Sequence, residues 1–279
     1  MYLLQVFRFI PFSILYVLSD ALAFVLYRVV GYRKAVIISN LERAFPEKTA
    51  AERRKIMSDN YRNLTDVTLE TLKSFSASIS EIERRAVCIN PELANQYLDC
   101  GQSVILTGCH LANWEYSGLV LPPVLRADTI LVYKPLTNKK MDDYINQARC
   151  KTGAKTLAMN EVVRALRSNT TSALVLLSDQ SPSSRKSAHW VDFFGQTTAS
   201  LPGADIFGRK FDLPVLYYRV QRTSRRGFYE IEFFEICIDP SAAVEKDITQ
   251  AYARRLESDI REKPAQWLWS HKRWKMNPE

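Results

Sequence analysis

Cysteine is scarce and scattered in this chain of 279 residues: Cys88, Cys100, Cys109, Cys150 and Cys237, odd in number and with no CxxC pair. That argues against a disulfide framework or a cysteine zinc site and fits a reducing compartment. No GxGxxG or Walker sequence occurs, so nucleotide binding has no support. A GxSxG elbow is also missing, which weakens a serine-hydrolase reading. Histidine occurs only three times. No internal repeat or low-complexity linker divides the chain. With 47% hydrophobic residues and 24% charged ones, it reads as a folded protein with one large domain rather than several small ones. The net charge of +8 points to a negatively charged partner without choosing among nucleic acid, anionic lipid and acidic protein.

The longest apolar run is Phe9 to Tyr27, "FIPFSILYVLSDALAFVLY", 19 residues with Asp20 as the single charge. As a helix it measures roughly 28 Å, close to the ~30 Å hydrocarbon thickness of a bilayer. No small-residue cleavage site follows, so a retained anchor is expected, with residues 1–34 forming the anchor and its basic flank. Arg28, Arg33 and Lys34 on one side against Arg8 on the other place the rest of the chain in the cytoplasm by the positive-inside rule. The same run also fits a helix lying in the membrane plane, or a buried helix of the domain itself.

Residues 35–75 read as helical with a break near Pro46, and Thr49 followed by Glu52 predicts a capping box. From residue 103 short apolar runs alternate with helical patterns. Strands are expected at Ser103–Thr107, Thr129–Tyr133, Lys155–Met159, Ala173–Ser178 and Pro214–Val220. Helices are expected near 114–121, 139–151, 160–168, 202–211 and 246–262, with Asn160 as an N-cap. A late hairpin turns through Arg225, Arg226 and Gly227. The alternation predicts an α/β fold over residues 35–279, a mixed, largely parallel sheet flanked by helices.

At the end of the first such strand stands "GCHLANWE" (108–115). On a continuous helix, five residues rotate about 500°, leaving His110 and Glu115 roughly 140° apart. They can meet only if the chain turns between them. A carboxylate near the ring would fix its tautomer and suit it to take a proton from an alcohol. The alternative is a strand-end histidine bonded to backbone. Cys109, pointing to the opposite face, reads as a small buried packer.

The His-x4-Glu block resembles the H-x4-D/E signature of the glycerolipid acyltransferase superfamily. Further stretches resemble the lipid A late acyltransferases, the lauroyl and myristoyl transferases of lipopolysaccharide biosynthesis. They are "NLERAFPEKT" (40–49), "VYKPLTN" (132–138) with a following arginine matching Arg149, "LLSDQSPSSRKSAHWVDFFG" (176–195) and "PAQWLWSHKRWK" (264–275). The resemblance covers nearly the whole chain. It implies an enzyme on the cytoplasmic face of a bacterial inner membrane. Such an enzyme moves a fatty acyl chain from acyl carrier protein, or acyl-CoA, to a hydroxyl of a lipid A precursor, with no cofactor and no metal. His110 would be the general base, Glu115 its orienting partner and Arg149 an oxyanion stabiliser, unless Arg149 is merely a solvated helix residue.

Asn113, Lys134, Asp179, Gln180 and Arg185 are the candidate substrate contacts. Asp179 could orient a sugar or the site arginine, or simply cap a loop. Lys134 and Arg185 could meet phosphate or the carrier. Arg222, Arg225 and Arg226 could form a patch for an acidic carrier, or a solvated turn. "WLWSHKRWK" (267–275) suits a membrane interface better than nucleic acid, although Trp267 and Trp269 could equally be core. Relatives of this architecture also acylate other membrane lipids, including phosphatidylinositol mannosides. A catalytically silent membrane-anchored binding protein is the reading from another class.

Overall fold

Thr49 and Glu52 form the expected box. The Glu52 amide donates to Thr49 Oγ1 at 3.3 Å, and the Thr49 amide donates to Glu52 Oε2 at 2.7 Å. The computed structural model describes residues 6–168 and 170–277, so residues 1–5 of the expected 1–34 segment and residues 169, 278 and 279 of the expected 35–279 segment lie outside the described residues. The apolar run folds as a helix over Phe12–Phe24 (α1), widening into a π-helix over Val25–Val30 that Gly31 closes at φ 64. Phe12–Val30 is long and apolar enough to cross a membrane.

One face of α1 is buried through Leu15, Ser19 and Ala23; the opposite face exposes Ile14, Val17, Leu18 and Phe24. Next come α2 (Lys34–Ala44) and α3 (Ala50–Ser74), with Pro46 in the break between them. Ser19 donates to Asp66 of α3 at 2.6 Å, and Tyr16 donates to Glu70 at 2.9 Å. Lys73 ties down the segment before α1, donating to the carbonyls of Phe7, Arg8 and Ile10.

Then follow α4 (Ile79–Arg85), β1 (Ala86–Cys88), α5 (Glu92–Leu98), β2 (Val104–Gly108), α6 (Ser117–Val124), β3 (Asp128–Tyr133) and α7 (Lys139–Arg149). The chain continues through β4 (Lys155–Ala158), α8 (Val162–Leu166), β5 (Ser172–Leu177), β6 (His189–Phe193), β7 (Gln196–Ser200) and α9 (Gly203–Phe211), and ends with β8 (Val215–Arg222), β9 (Tyr229–Cys237) and α10 (Asp247–Glu262). Asn160 does not cap a helix. It lies in a 3₁₀ turn, and α8 starts after Glu161 without a side-chain cap.

The main sheet has the order β1-β9-β8-β2-β5-β3-β4, parallel throughout except for the β8–β9 hairpin. Every residue of β2 is buried, as a central parallel strand covered on both faces requires. Alternate residues of β2 and β5 serve the two faces. Leu106, Ala173 and Val175 pack with Leu119–Leu121 of α6. Ile105, Leu174 and Leu176 pack with Ala204 of α9 on the other side. The connections leaving β2 and β5 therefore take opposite faces, which makes their carboxyl ends a topological switch point, where α/β folds place ligands.

Two surface expectations are corrected here. Trp267 and Trp269 are 2% and 0% exposed and pack with Phe45, Tyr61 and Phe193 in a second core cluster. Burying such large rings removes far more apolar area from water than an interfacial contact would, so the C-terminal motif is interior. Two of the three turn arginines, Arg222 and Arg226, are also engaged. Arg222 donates to Asp66 at 2.8 Å, and Arg226 pairs with both Asp66 and Asp20. They lock the hairpin to α1 and α3 instead of offering a free patch.

Candidate active site

Gly108 ends β2 where no side chain fits: a Cβ there would lie 2.2 Å from Tyr218 Cζ. Its carbonyl accepts from Tyr252 Oη at 2.8 Å and from the Ser178 amide at 3.1 Å, pinning the end of β2 to the end of β5. Cys109 turns inward, 3.4 Å from Tyr217 Oη, and burial pushes its thiol well above the ordinary range. It is an inert packer.

The chain then leaves the sheet. Leu111 bridges to Trp267; the Ala112 amide donates to the Gln266 carbonyl at 3.0 Å, and the Leu268 amide donates to the His110 carbonyl at 3.1 Å. Ala112 takes φ 48, a left-handed conformation that an L-residue adopts at a cost of roughly 1–2 kcal/mol. A 3₁₀ turn at Trp114–Tyr116 leads into α6.

The turn between His110 and Glu115 thus exists, but it does not bring them together. Asp179 is the carboxylate on the imidazole: Oδ1 lies 2.7 Å from Nδ1, and Oδ2 accepts the His110 amide at 3.0 Å. Trp267 Nε1 donates to the same Oδ2 at 2.9 Å. The register of the parallel pair explains the contact. Gly108 stands opposite Leu177, so two residues further on His110 stands opposite Asp179.

Glu115 instead takes a two-pronged bond from Arg149, Nη2 to Oε1 at 2.6 Å and Nε to Oε2 at 3.0 Å. This bidentate fork uses both carboxylate oxygens, so Glu115 acts on His110 only through its charge. Arg149 is not a solvated helix residue either, since its side chain is only 25% exposed.

With Nδ1–H donating to Asp179, Nε2 is the basic nitrogen, and the amide of Gln180 lies 3.3 Å from it. The edge of Trp114 covers the ring at 4.9 Å between centroids. Burial pulls the His110 pKa down, but the charge and hydrogen bond of Asp179, helped by Glu115, outweigh it and the net shift is upward. Burial also opposes ionising Asp179, yet His110 and its two N–H donors bring the carboxyl down to about 2. The couple therefore favours charge on both partners, an arrangement that equips the imidazole chemically to take up a proton.

The other candidate contacts divide. Asn113 is fully buried and donates to Glu70 Oε2 at 2.8 Å, so it anchors the loop from inside and does not face a ligand. Lys134 is exposed just beyond β3, and Arg185 is exposed with its guanidinium 5.4 Å from the Trp190 ring centroid.

The sequence profile of the bacterial lipid A biosynthesis acyltransferases matches residues 1–276. The chain belongs to that family. It is 23% identical over 250 residues to a lipid A biosynthesis palmitoleoyltransferase of Escherichia coli (strain K12), covering 88% of this chain and 80% of the relative. A lipid A biosynthesis lauroyltransferase from the same strain is 22% identical over 273 residues, 97% and 88% of the two chains. A lipid A biosynthesis acyltransferase of Haemophilus influenzae is 24% identical over 236 residues, 83% and 72%.

Two residues of this candidate site escape sequence reasoning. Trp267 reads as core or interface, whereas its indole N–H holds Asp179. His271 Nε2 accepts the Ser181 amide at 3.0 Å, and burial brings its pKa down to about 4. It stays neutral and steadies the Asp179–Ser181 turn. The quoted C-terminal motif contains both residues, which is the only sequence signal that points to them.

Proposed function

We propose that this acyltransferase moves a fatty acyl chain from the thioester of acyl carrier protein to a hydroxyl of a lipid A precursor, with His110 as general base. The observation that carries the reading is the two-point grip of Asp179 on His110 at the carboxyl ends of β2 and β5. The acceptor hydroxyl takes the place of the Gln180 amide at Nε2. As its oxygen attacks the thioester carbonyl, its proton passes to Nε2, and Asp179 stabilises the imidazolium that forms. The carbonyl becomes an oxyanion beside the Glu115–Arg149 pair, where the guanidinium offers positive charge and Glu115 fixes its orientation. Collapse expels the thiolate, which takes the proton back from His110. The two substrates need only be held together, with no acyl-enzyme between them.

Membrane contact comes through α1 lying in the plane of the cytoplasmic interface. Its inner face is hydrogen-bonded to α3 through Ser19 and Tyr16, and Asp20 is ion-paired with Arg226. Drawing this helix across the hydrocarbon would take Asp66 and Arg226 with it, a prohibitive desolvation.

The test is transfer by the purified protein in detergent, with a tetra-acylated lipid A precursor and acyl carrier protein loaded with chains of different length. Transfer by wild type and its loss in His110→Ala with folding retained is the expected result. Transfer that survives in His110→Ala would remove the base assignment, and no transfer by wild type would remove the proposed substrates.

A further inference from the structure

A groove of about 310 Å³ lies between β1 and the β8–β9 hairpin, rimmed by Arg84, Arg85 and Arg225 and walled by Val87, Ile89 and Phe228. It has no part in the chemistry described above. We propose that it binds the phosphate of a membrane lipid headgroup, with the lipid's apolar portion against Val87 and Ile89. The proposal rests on the reading that this enzyme works on lipids at a membrane surface.

Arg85 is the built part of the site. Its side chain is only 10% exposed, and its guanidinium carbon stands 3.2 Å from the Phe12 ring centroid and 5.0 Å from that of Phe228. Sandwiched rings replace much of its water, yet few of its five donors are used. Nη1 reaches the Gly227 carbonyl at 3.4 Å, and Nε is buried without a hydrogen-bond partner among the described residues. Glu81 stands 3.7 Å from Arg84 and 3.8 Å from Arg85, too far for a short charge-assisted bond to either. Glu230 is the one carboxylate lining the groove. Three guanidiniums therefore stand against two acids, Glu81 and Glu230, and the planar forks match phosphate oxygens.

The apolar wall selects a lipid over a soluble anion. Val87 on the edge strand β1 and Ile89 just after it are 51% and 50% exposed. Phe12, which stacks on Arg85, begins α1, the helix with the outward apolar stripe. Groove and stripe thus meet the same surface. The groove also reaches the catalytic loop: Tyr229, which lines it, and Asn113, three residues after His110, both donate to Glu70 Oε2, at 2.6 and 2.8 Å.

The experiment uses the full-length protein in neutral detergent, with Arg84→Gln/Arg225→Gln as the main variant. Arg85→Lys is the second, keeping the charge but losing the fork. Thermal unfolding establishes that each folds. KM is measured for the phosphorylated acceptor and for the same acceptor after phosphatase treatment, and binding is measured to phosphatidylcholine vesicles with and without phosphatidylglycerol.

The expected result is a KM about tenfold higher for the phosphorylated acceptor only, at unchanged kcat, which assigns the groove to the acceptor's own phosphate. A loss of preference for phosphatidylglycerol vesicles at constant KM would assign it to surrounding phospholipid and would equally support the proposal. No change in either measurement overturns it, and so does a change confined to the KM for the carrier-protein donor, which would make the groove a protein-docking site. If wild type acylates no precursor, the proposed function fails, and the vesicle comparison still decides the groove.

Discussion

Asp179 holds His110 at two points, ring nitrogen and backbone amide, so one carboxylate sets both the tautomer of the imidazole and the course of the loop that carries it. Asp179→Asn keeps the size but loses the charge. We expect kcat to fall by about 10³- to 10⁴-fold with the fold retained. Without the carboxylate, burial dominates and the His110 pKa drops, so the acidic limb of kcat/KM moves to lower pH. A limb that stays in place would show that Asp179 does not tune the base.

Trp267→Phe removes one donor from Asp179 Oδ2 while leaving a ring in the core. The Asp179 pKa should rise, and kcat should fall about tenfold, on the scale of one charge-assisted bond. Steady-state kinetics with a thermal melt would check it. A large loss of stability with normal turnover would assign Trp267 to packing alone.

The couple also makes stability depend on pH. The pKa of Asp179 is depressed to about 2 in the fold, so its contribution is present above its ordinary 3.8 and is lost as pH falls toward 2. His110 is raised above its ordinary 6.5, so its contribution is full below 6.5 and is lost as pH rises through the folded value. A double-mutant cycle of Asp179→Asn and His110→Gln, followed by thermal unfolding, should give its largest coupling between about pH 4 and 6.5. Flat coupling across pH 3–9 would contradict the ion pair.

Gly108→Ala puts a methyl into the ring of Tyr218, which sits on the adjacent strand and cannot swing away. We expect a loss of about 1–3 kcal/mol or more, read from chemical denaturation. An unperturbed midpoint would mean that Tyr218 can relocate freely.

A spin label at Val17, which is 68% exposed on the outward stripe of α1, should report interfacial depth in vesicles. A depth at the bilayer centre would show that the helix spans the membrane.

Much of the architecture is legible because it is written locally. The five expected strands from residue 103 onward lie within two residues of the observed β2, β3, β4, β5 and β8, since each is an apolar run bounded by turn residues. β1 and the β6–β7 hairpin escape for the opposite reason: β1 has three residues, and β6 exposes Asp192 amid its core positions. In the site, Glu115 attracts attention because it is close in sequence, whereas the residue on the imidazole is 69 positions away. No local pattern links His110 to Asp179. The parallel register of β2 and β5 does, and register is a property of the assembled sheet. The acidic residue of the H-x4-E block finds its partner 34 residues on, in Arg149, again through tertiary packing.

The strap made by Gln266, Trp267 and Leu268 has a consequence for how the enzyme is born. Every charged group of the site is synthesised well before the strap, yet the His110 loop has its two backbone bonds, and Asp179 its indole partner, only once residues 266–268 have emerged. A nascent chain that has emerged only as far as α10 therefore carries His110 and Asp179 without these bonds. Under the proposed mechanism the base would become competent only once the strap has docked, so an immature chain would leave the lipids around it unacylated.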